Sequence, residues 1–176
     1  MPVILDPTEC ISSAGLMHLS EKNGVSEGMY VPVNIGIQQS IFRFQKSDNI
    51  GIEFGFGGAA FTQFTIKPAD DNKYLGEIEN TDFKASGFIN FLFNHWSARL
   101  RLFHISSHLA DDYILRNNID SSNPGTVNYE QFDLTTSYHH KLMRYYVGVG
   151  TVITPNAVRK RLSLQTGFFF RKRAGS

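Results

Sequence analysis

The sequence predicts an all-β protein, an antiparallel up-and-down (meander) β-barrel with about seven or eight strands. Three observations predict it. Apolar and polar residues alternate with period two over long stretches. These stretches are longer than the usual strand of a soluble protein. The connections between them are alternately short and long. Aromatic residues make up 13% of the 176 residues and there are 15 glycines, a composition that favours strands and tight turns.

Seven stretches carry the alternation. In one of the clearest, Ile52, Phe54 and Phe56 share one face, whereas Glu53 and Gly55 share the other. The predicted strands cover about residues 30–45, 49–66, 80–94, 96–109, 127–140, 142–154 and 160–172. Such strands exceed the roughly 5–6 residues common in soluble proteins. They are long enough for a tilted membrane strand, which needs about 9–11 residues.

The connections between these strands supply an independent indication. Those near residues 45–48, 94–95 and 140–141 are short, whereas those at 67–79, 110–126 and 155–159 are longer. This is the layout of a bacterial outer-membrane barrel, with short periplasmic turns and longer outer loops. Arg, Asp and Glu on the inner face agree with it, because a small soluble barrel would carry its apolar face inside. A soluble β-sandwich or lipocalin-like barrel is the alternative, since its strands also alternate.

Composition excludes several other classes of protein. There are 17 Lys and Arg against 16 Asp and Glu, a formal net charge of +1, so no basic excess indicates nucleic acid as a partner. The single cysteine, Cys10, excludes an internal disulfide and a cysteine-based zinc cluster. The sequence indicates no metal and no cofactor. No basic stretch followed by an apolar one opens the chain, so no export signal is recognised within it.

The strand count leaves two explanations open. Bacterial barrels of a single chain have an even number of strands, at least 8. Either residues 9–20 add an edge strand, or the chain is an incomplete barrel. We divide the chain into an N-terminal segment, 1–28, that would hold the edge strand, a β-barrel domain, 29–172, and a tail, 173–176.

The stretch after Trp96 carries the chemistry. Continuing its alternation puts His104, Ser106 and His108 on the same outward, lipid-facing side as Leu102. Polar side chains that face lipid are costly unless they have a function or a partner. Three of them in succession therefore indicate a site.

A carboxylate on the next strand completes the prediction. Because the loop between the two strands is centred near residue 117, paired residue numbers sum to roughly 234–236, which sets Glu130 opposite His104 or Ser106. Ser106 would attack an ester carbonyl, His104 would take its proton, and Glu130 would orient the imidazole. The predicted substrate is a membrane lipid or lipopolysaccharide, reached near the outer-leaflet headgroups. His108 would be a substrate contact or an interface residue.

Each of these polar residues also has a non-catalytic interpretation. His104 and Ser106 could sit at the membrane interface, with Glu130 solvated above them. The protein would then be a non-enzymatic barrel, either a structural anchor or a narrow pore. Asp111 and Asp112 could bind calcium or form a solvated turn, and the second is the usual case for two loop carboxylates. His139 and His140 lack a third metal ligand. Charged residues of the inner face indicate an interior polar network, and these are Arg99, Arg101, Arg144, Glu53 and Asp133.

Two resemblances to known families point the same way. The stretch from Trp96 to Tyr113, WSARLRLFHISSHLADDY, followed by NYEQFDL at 128–134, resembles the outer-membrane family catalogued as domain of unknown function 1207. ILDP at 4–7 resembles the family's opening of the mature chain, and Ala110 stands where the family usually has Gly. The resemblance implies an outer-membrane barrel, longer than this chain, and supplies no activity.

The second resemblance is local. His104-Ile105-Ser106, an Asn-Pro-Gly loop at 123–125 and a following Glu are similar to the lipid A 3-O-deacylases, which are eight-stranded outer-membrane barrels with His-x-Ser and Glu on the lipid-facing wall. That motif carries over to His104, Ser106 and Glu130.

The same resemblance implies an oxyanion hole. Main-chain amides just after the serine, those of Ser107 and Leu109, would bind the oxyanion. This chain departs from the deacylases in having Ser107 where Asn is usual and a longer loop before the Glu.

Overall fold

The computed structural model describes residues 9–20, 28–68, 74–120, 122, 125–154 and 160–170. Within them the chain forms strands and one short helix. In chain order these are β1 Ser13–Ala14, β2 Met17–Leu19, β3 Gly28–Ser47, β4 Ile50–Pro68, β5 Tyr74–Phe93, β6 Trp96–Leu109, α1 Asp111–Arg116, β7 Val127–His140, β8 Met143–Val152 and β9 Leu162–Phe170.

The strands form a single antiparallel sheet. From β3 to β9 each strand pairs with the next along the chain, and β1 and β2 both pair with β3. Among the described residues β9 does not pair with β3, so the sheet is an open half-barrel. The predicted all-β meander is confirmed. None of the described residues belongs to a helix that is long and apolar enough to cross a membrane.

Local irregularities explain where strand limits differ from the prediction. β6 and β7 have the predicted limits, but β5 begins at Tyr74 rather than near residue 80. Gln63 pairs with Asn80 and Phe64 pairs with Ile78, so the ladder skips Glu79. An extra residue of this kind is a β-bulge, which reverses the alternation of faces. A strand predicted from strict alternation therefore stops at this point.

The two faces of the sheet differ in polarity. On β6, Leu102 is exposed outward, whereas Arg99 and Arg101 are buried inward. β7 repeats the pattern, with Phe132 outward and Asp133 inward. The predicted interior polar network is thus present on these strands, and the outer face is largely apolar.

The centre of that network is Glu9. Its side chain is 1% exposed and accepts hydrogen bonds from Arg99 Nη1 at 2.9 Å and from Arg101 Nη1 at 3.1 Å. Arg101 Nη2 donates to Asp133 Oδ2 at 2.6 Å, and Gln131 donates to Asp133 Oδ1 at 2.7 Å. Buried charges are tolerated when they are paired and hydrogen-bonded in this way. The first described residues therefore lie across the inner face of the sheet.

The segment predicted as an edge strand is divided between two positions. β1 and β2 pair along β3, for example Ser13 with Asn34 and Met17 with Tyr30. Cys10, next to Glu9, lies inside instead, where its Sγ is 3.7 Å from Ser86 Oγ. Between Cys10 and Ser13 the chain therefore passes from the inner face to the edge of the sheet.

Two glycines make room for this crossing. A Cβ on Gly36 would lie 2.6 Å from the carbonyl carbon of Cys10, and a Cβ on Gly57 would lie 3.0 Å from Cys10 Sγ. The first distance would force the backbone of Cys10 to move, and the second would press on the Cys10 side chain. Glycine is required here because the N-terminal backbone passes directly over the sheet.

A short helix that the sequence did not predict fixes the connection between β6 and β7. Ile114 of α1 is buried, and Arg116 forms an ion pair with Glu77 of β5. Burial, with the carboxylates of Glu79 and then Glu77, raises the pKa of the Tyr113 hydroxyl. Asp111 and Asp112 lie exposed in the first turn of α1, where the helix dipole favours negative charge.

Replacing Gly36 by Val is expected to displace the backbone of Cys10 and withdraw Glu9 from its arginines. Leaving buried charges without their partner costs about 3–5 kcal/mol. The free energy of unfolding should fall by that order, measured by denaturant unfolding with circular dichroism. Gly87→Val is the matched control, because a Cβ there meets nothing within 4 Å. Equal unfolding midpoints for the two variants would contradict the role given to the crossing.

Candidate functional site

The predicted site residues lie together on the outer face. His104, Ser106 and His108 follow one another on alternate positions of β6, and Glu130 lies on the outer face of β7. The β6–β7 ladder pairs His104 directly with Glu130, which is one of the two registers expected from the loop position. The exposed side chains of Leu102 and Phe83 border the group, so it is a polar island on an apolar surface.

His104 and Glu130 form one of two hydrogen-bonded pairs in this island. His104 Nδ1 lies 2.7 Å from Glu130 Oε1, with the side chains 47% and 39% exposed. Thr154 Oγ1 donates to the other carboxylate oxygen. A carboxylate at Nδ1 fixes the ring orientation and leaves Nε2 for a second partner. This is the contact that the predicted role of Glu130 requires.

Ser106 belongs to the second pair. Its Oγ lies 2.8 Å from His108 Nε2, and the structure shows no such contact with His104. Phe83 packs against the His108 ring edge-on, with centroids 6.0 Å apart. The serine thus has an imidazole partner, but a different one from that predicted. Both histidines lie two residues from Ser106, about 6.6 Å along the strand, so spacing alone does not distinguish them.

The two main-chain amides expected to bind an oxyanion are placed differently. Ser107 pairs with Asp82 on one side and Val127 on the other, so its amide lies within the sheet. Leu109 is past the last described β6–β7 pair. Because Ala110 N donates towards β5, at 3.1 Å to Glu79 O, and successive amides alternate, the Leu109 amide points to the open β7 side. The oxyanion role stays a prediction, with Leu109 the better placed donor.

The arrangement combines a hydroxyl, two imidazoles and a carboxylate on one surface. These are the groups needed for nucleophilic attack on an ester and for moving the proton that attack releases. Within the described residues, no three His, Cys, Asp or Glu side chains gather in a group that could hold a metal ion.

Comparison with known proteins assigns a family. A family model described as "Protein of unknown function (DUF1207)" matches residues 1–174. The chain belongs to this family. No curated protein and no solved structure matches it. The DUF1207 description names no activity, so the function of this member is argued from its own site.

The exposed pair of His104 and Glu130 is expected to contribute little to stability. Exposed ion pairs give coupling energies of about 0.2–1 kcal/mol in double-mutant cycles. A cycle with His104→Ala and Glu130→Ala, followed by denaturant unfolding, should fall in that range.

The buried ion pairs of Arg101 on the inner face provide a comparison with this exposed pair. Arg101→Met leaves Glu9 and Asp133 with a missing partner and should cost about 3–5 kcal/mol. A coupling of about 2 kcal/mol or more between His104 and Glu130, well above the range of exposed pairs, would instead make that pair a structural element.

Proposed function

We propose that this protein is an outer-membrane lipid esterase, a deacylase that hydrolyses an acyl ester of lipid A or of a phospholipid at the outer face of β6 and β7. One observation carries the proposal. A serine hydrogen-bonded to an imidazole lies beside an imidazole hydrogen-bonded to a carboxylate, on a face that is otherwise apolar.

The distribution of side chains supports a place in the outer membrane. The outer face of the sheet is largely apolar, and the inner face carries the buried charged side chains beside one apolar cluster. Outer-membrane barrels likewise have an apolar outer wall and a polar interior. Exposed aromatic side chains gather near the short turns, at the start and end of strands, in the manner of an interfacial girdle. They include Phe93, Trp96, Tyr145 and Phe168. The longer connections, including the one that holds α1, would then face outwards.

The depth of the site supports an ester as the reacting group. Ser106 is ten residues beyond Trp96 on β6, a distance of about 33 Å along a strand. At a tilt of about 45° this is about 23 Å along the membrane normal, close to the ~25 Å height of the apolar band. With Trp96 at the inner boundary, Ser106 lies at the outer one. Acyl esters of membrane lipids lie at that boundary, between chains and headgroups.

Small residues beside the site provide room for an acyl chain. On the outer face of β5, Ala85 lies next to His104 and Gly87 lies next to Leu102. Gly58 of β4 lies beside Ala85. The wall is therefore shallow next to the polar island, and a chain lying on it would stay in contact with the protein while its ester reaches Ser106.

The proposed reaction proceeds by acyl transfer. Ser106 Oγ forms a bond to the ester carbonyl carbon, and its proton passes to an imidazole. The bond between that carbon and the alkoxy oxygen then breaks, and the leaving alcohol takes the proton. Water hydrolyses the acyl-serine, releasing a fatty acid and restoring the hydroxyl. The Leu109 amide would donate to the oxyanion formed in each step.

We assign the proton transfer to His104. Glu130 holds its ring through Nδ1, so Nε2 is available to take the serine proton. Rotation of the Ser106 side chain between staggered positions moves its hydroxyl from His108 towards His104. His108 then holds the serine in the unliganded site and contacts the lipid headgroup when substrate is bound.

The inner face gives no support for an open pore as the second candidate. Phe103, Ile105, Tyr129 and Val152 pack into a cluster there. Glu9 lies across the same face between two arginines. The described interior is packed with side chains at these positions rather than arranged around a channel.

Ser106→Ala is expected to abolish lipid hydrolysis, lowering the rate by at least ~10³-fold because the nucleophile is lost. Mass spectrometry of lipid A and phospholipids from cells that express the protein would show the loss of a deacylated species. Ser107→Ala is the matched control, since its side chain faces inwards on the neighbouring position of β6. An unchanged lipid profile on expression, or the same change with Ser106→Ala, would refute the proposal.

The two histidines are expected to differ in their effect. His104→Ala should lower the rate by about 10³–10⁴-fold, as loss of a triad member does, whereas His108→Ala should lower it by about tenfold. Rates of fatty acid release from lipid in mixed micelles would measure both. The reverse order would move the proton transfer to His108.

A further inference from the structure

A second polar site lies on the opposite face of the sheet, near the short turns. It is a cavity of about 330 Å³ on the inner face, lined by residues from β3 to β8. Its lining includes Ser97, Arg99, Ser137, His139 and Arg144. The proposed esterase site does not include any of these residues.

Arg99 is the best defined donor of the cavity. Its side chain is 8% exposed, and its Nε donates to Asn90 Oδ1 at 2.7 Å and its Nη1 to Glu9 Oε1 at 2.9 Å. The remaining amino group, Nη2, has no partner among the residues that the structure describes. A guanidinium presents five N–H donors in a planar fork. A nearly buried arginine thus retains donor capacity at the wall of an accessible cavity.

Neighbouring strands add further donors. Arg144 of β8 donates from Nε and Nη2 to Ser137 Oγ, at 3.1 and 2.9 Å. Ser97 Oγ and His139 Nε2 are hydrogen-bonded at 2.9 Å. Two guanidinium groups, two hydroxyls and an imidazole therefore meet around one volume.

The carboxylates of the same cavity do not cancel this character. Glu53 accepts from Arg43 Nη2 at 2.6 Å and from Asn90 Nδ2 at 2.8 Å, so its two oxygens already have donors. Asp48 lies in the exposed turn between β3 and β4, at the rim. The positive charges of Arg99 and Arg144 consequently dominate the inner part of the cavity.

We infer that this cavity binds a small oxyanion, through a phosphate or carboxylate group held by Arg99 and by the Ser97 hydroxyl, with the positive charge of Arg144 close by. Charged hydrogen bonds from arginine to these two groups are short and about twice as strong as neutral ones. The volume accommodates a phosphate or carboxylate together with a few further atoms. The site is independent of lipid hydrolysis, since it lies on the other face and at the other end of β6.

Titration calorimetry on the full chain in detergent, at constant ionic strength, tests the inference with two probes. Inorganic phosphate and succinate are titrated separately, so that the two sources of oxyanion are distinguished. We expect saturable binding of one equivalent for at least one of them. Absence of saturable binding for both probes would overturn the inference.

Variants locate the binding. Arg99→Lys keeps the charge but removes the fork, and Arg144→Gln removes a positive charge close to the anion, so each should weaken binding by about tenfold or more. Because Arg99 also holds Glu9, Ser97→Ala is a milder variant that leaves the ion pairs intact and should weaken binding severalfold. Arg116→Lys, at the far end of the sheet, is the matched control with unchanged affinity. Circular dichroism verifies folding, and binding that all three cavity variants leave unaltered would overturn the inference.

Discussion

The buried carboxylate of Glu9 compensates the positive charges of two arginines on the inner face of the sheet. Arg99 and Arg101 lie two residues apart on β6, so both guanidinium groups point inwards and repel each other. Glu9 lies between them with one oxygen for each, and Asp133 shares Arg101 from β7. With this compensation, charged residues can occupy the inside of strands whose outer side is apolar. These few ion pairs therefore make the difference in polarity between the two faces possible.

The candidate site is held in place by the pairing of its strands. β6 and β7 are central strands, paired along most of their length with β5 and β8, so the backbone of His104, Ser106 and Glu130 has little freedom. Groups carried on paired strands are positioned more precisely than groups on loops. α1 reinforces this end of the hairpin through the ion pair of Arg116 with Glu77. The Ser106 hydroxyl is held in the same region by its hydrogen bond with His108.

Features that depend on the alternation of residues along a strand are predictable from the sequence. Bulges, the choice between two equally spaced side-chain partners and short helices are not. The limits of β6 and β7, their register and the shared face of His104 and Glu130 derive from alternation and from loop length. The early start of β5 escapes prediction because the bulge at Glu79 reverses the alternation. The contact of Ser106 with His108 escapes it because both imidazoles have the same spacing. α1 has six residues, too few for a helical period to stand out.

The position of Glu9 is unpredictable for a different reason, since its partners are 90 and 92 residues away along the chain. That separation also constrains the order of assembly. The carboxylate acquires its partners only after the chain through β6 has been laid into the sheet, and contacts so distant in sequence form late and slowly. Until then Glu9 stays hydrated, and Arg101 has Asp133 as its carboxylate partner whereas Arg99 still lacks Glu9. The last step of folding is therefore expected to be the docking of the N-terminal segment onto an already paired sheet.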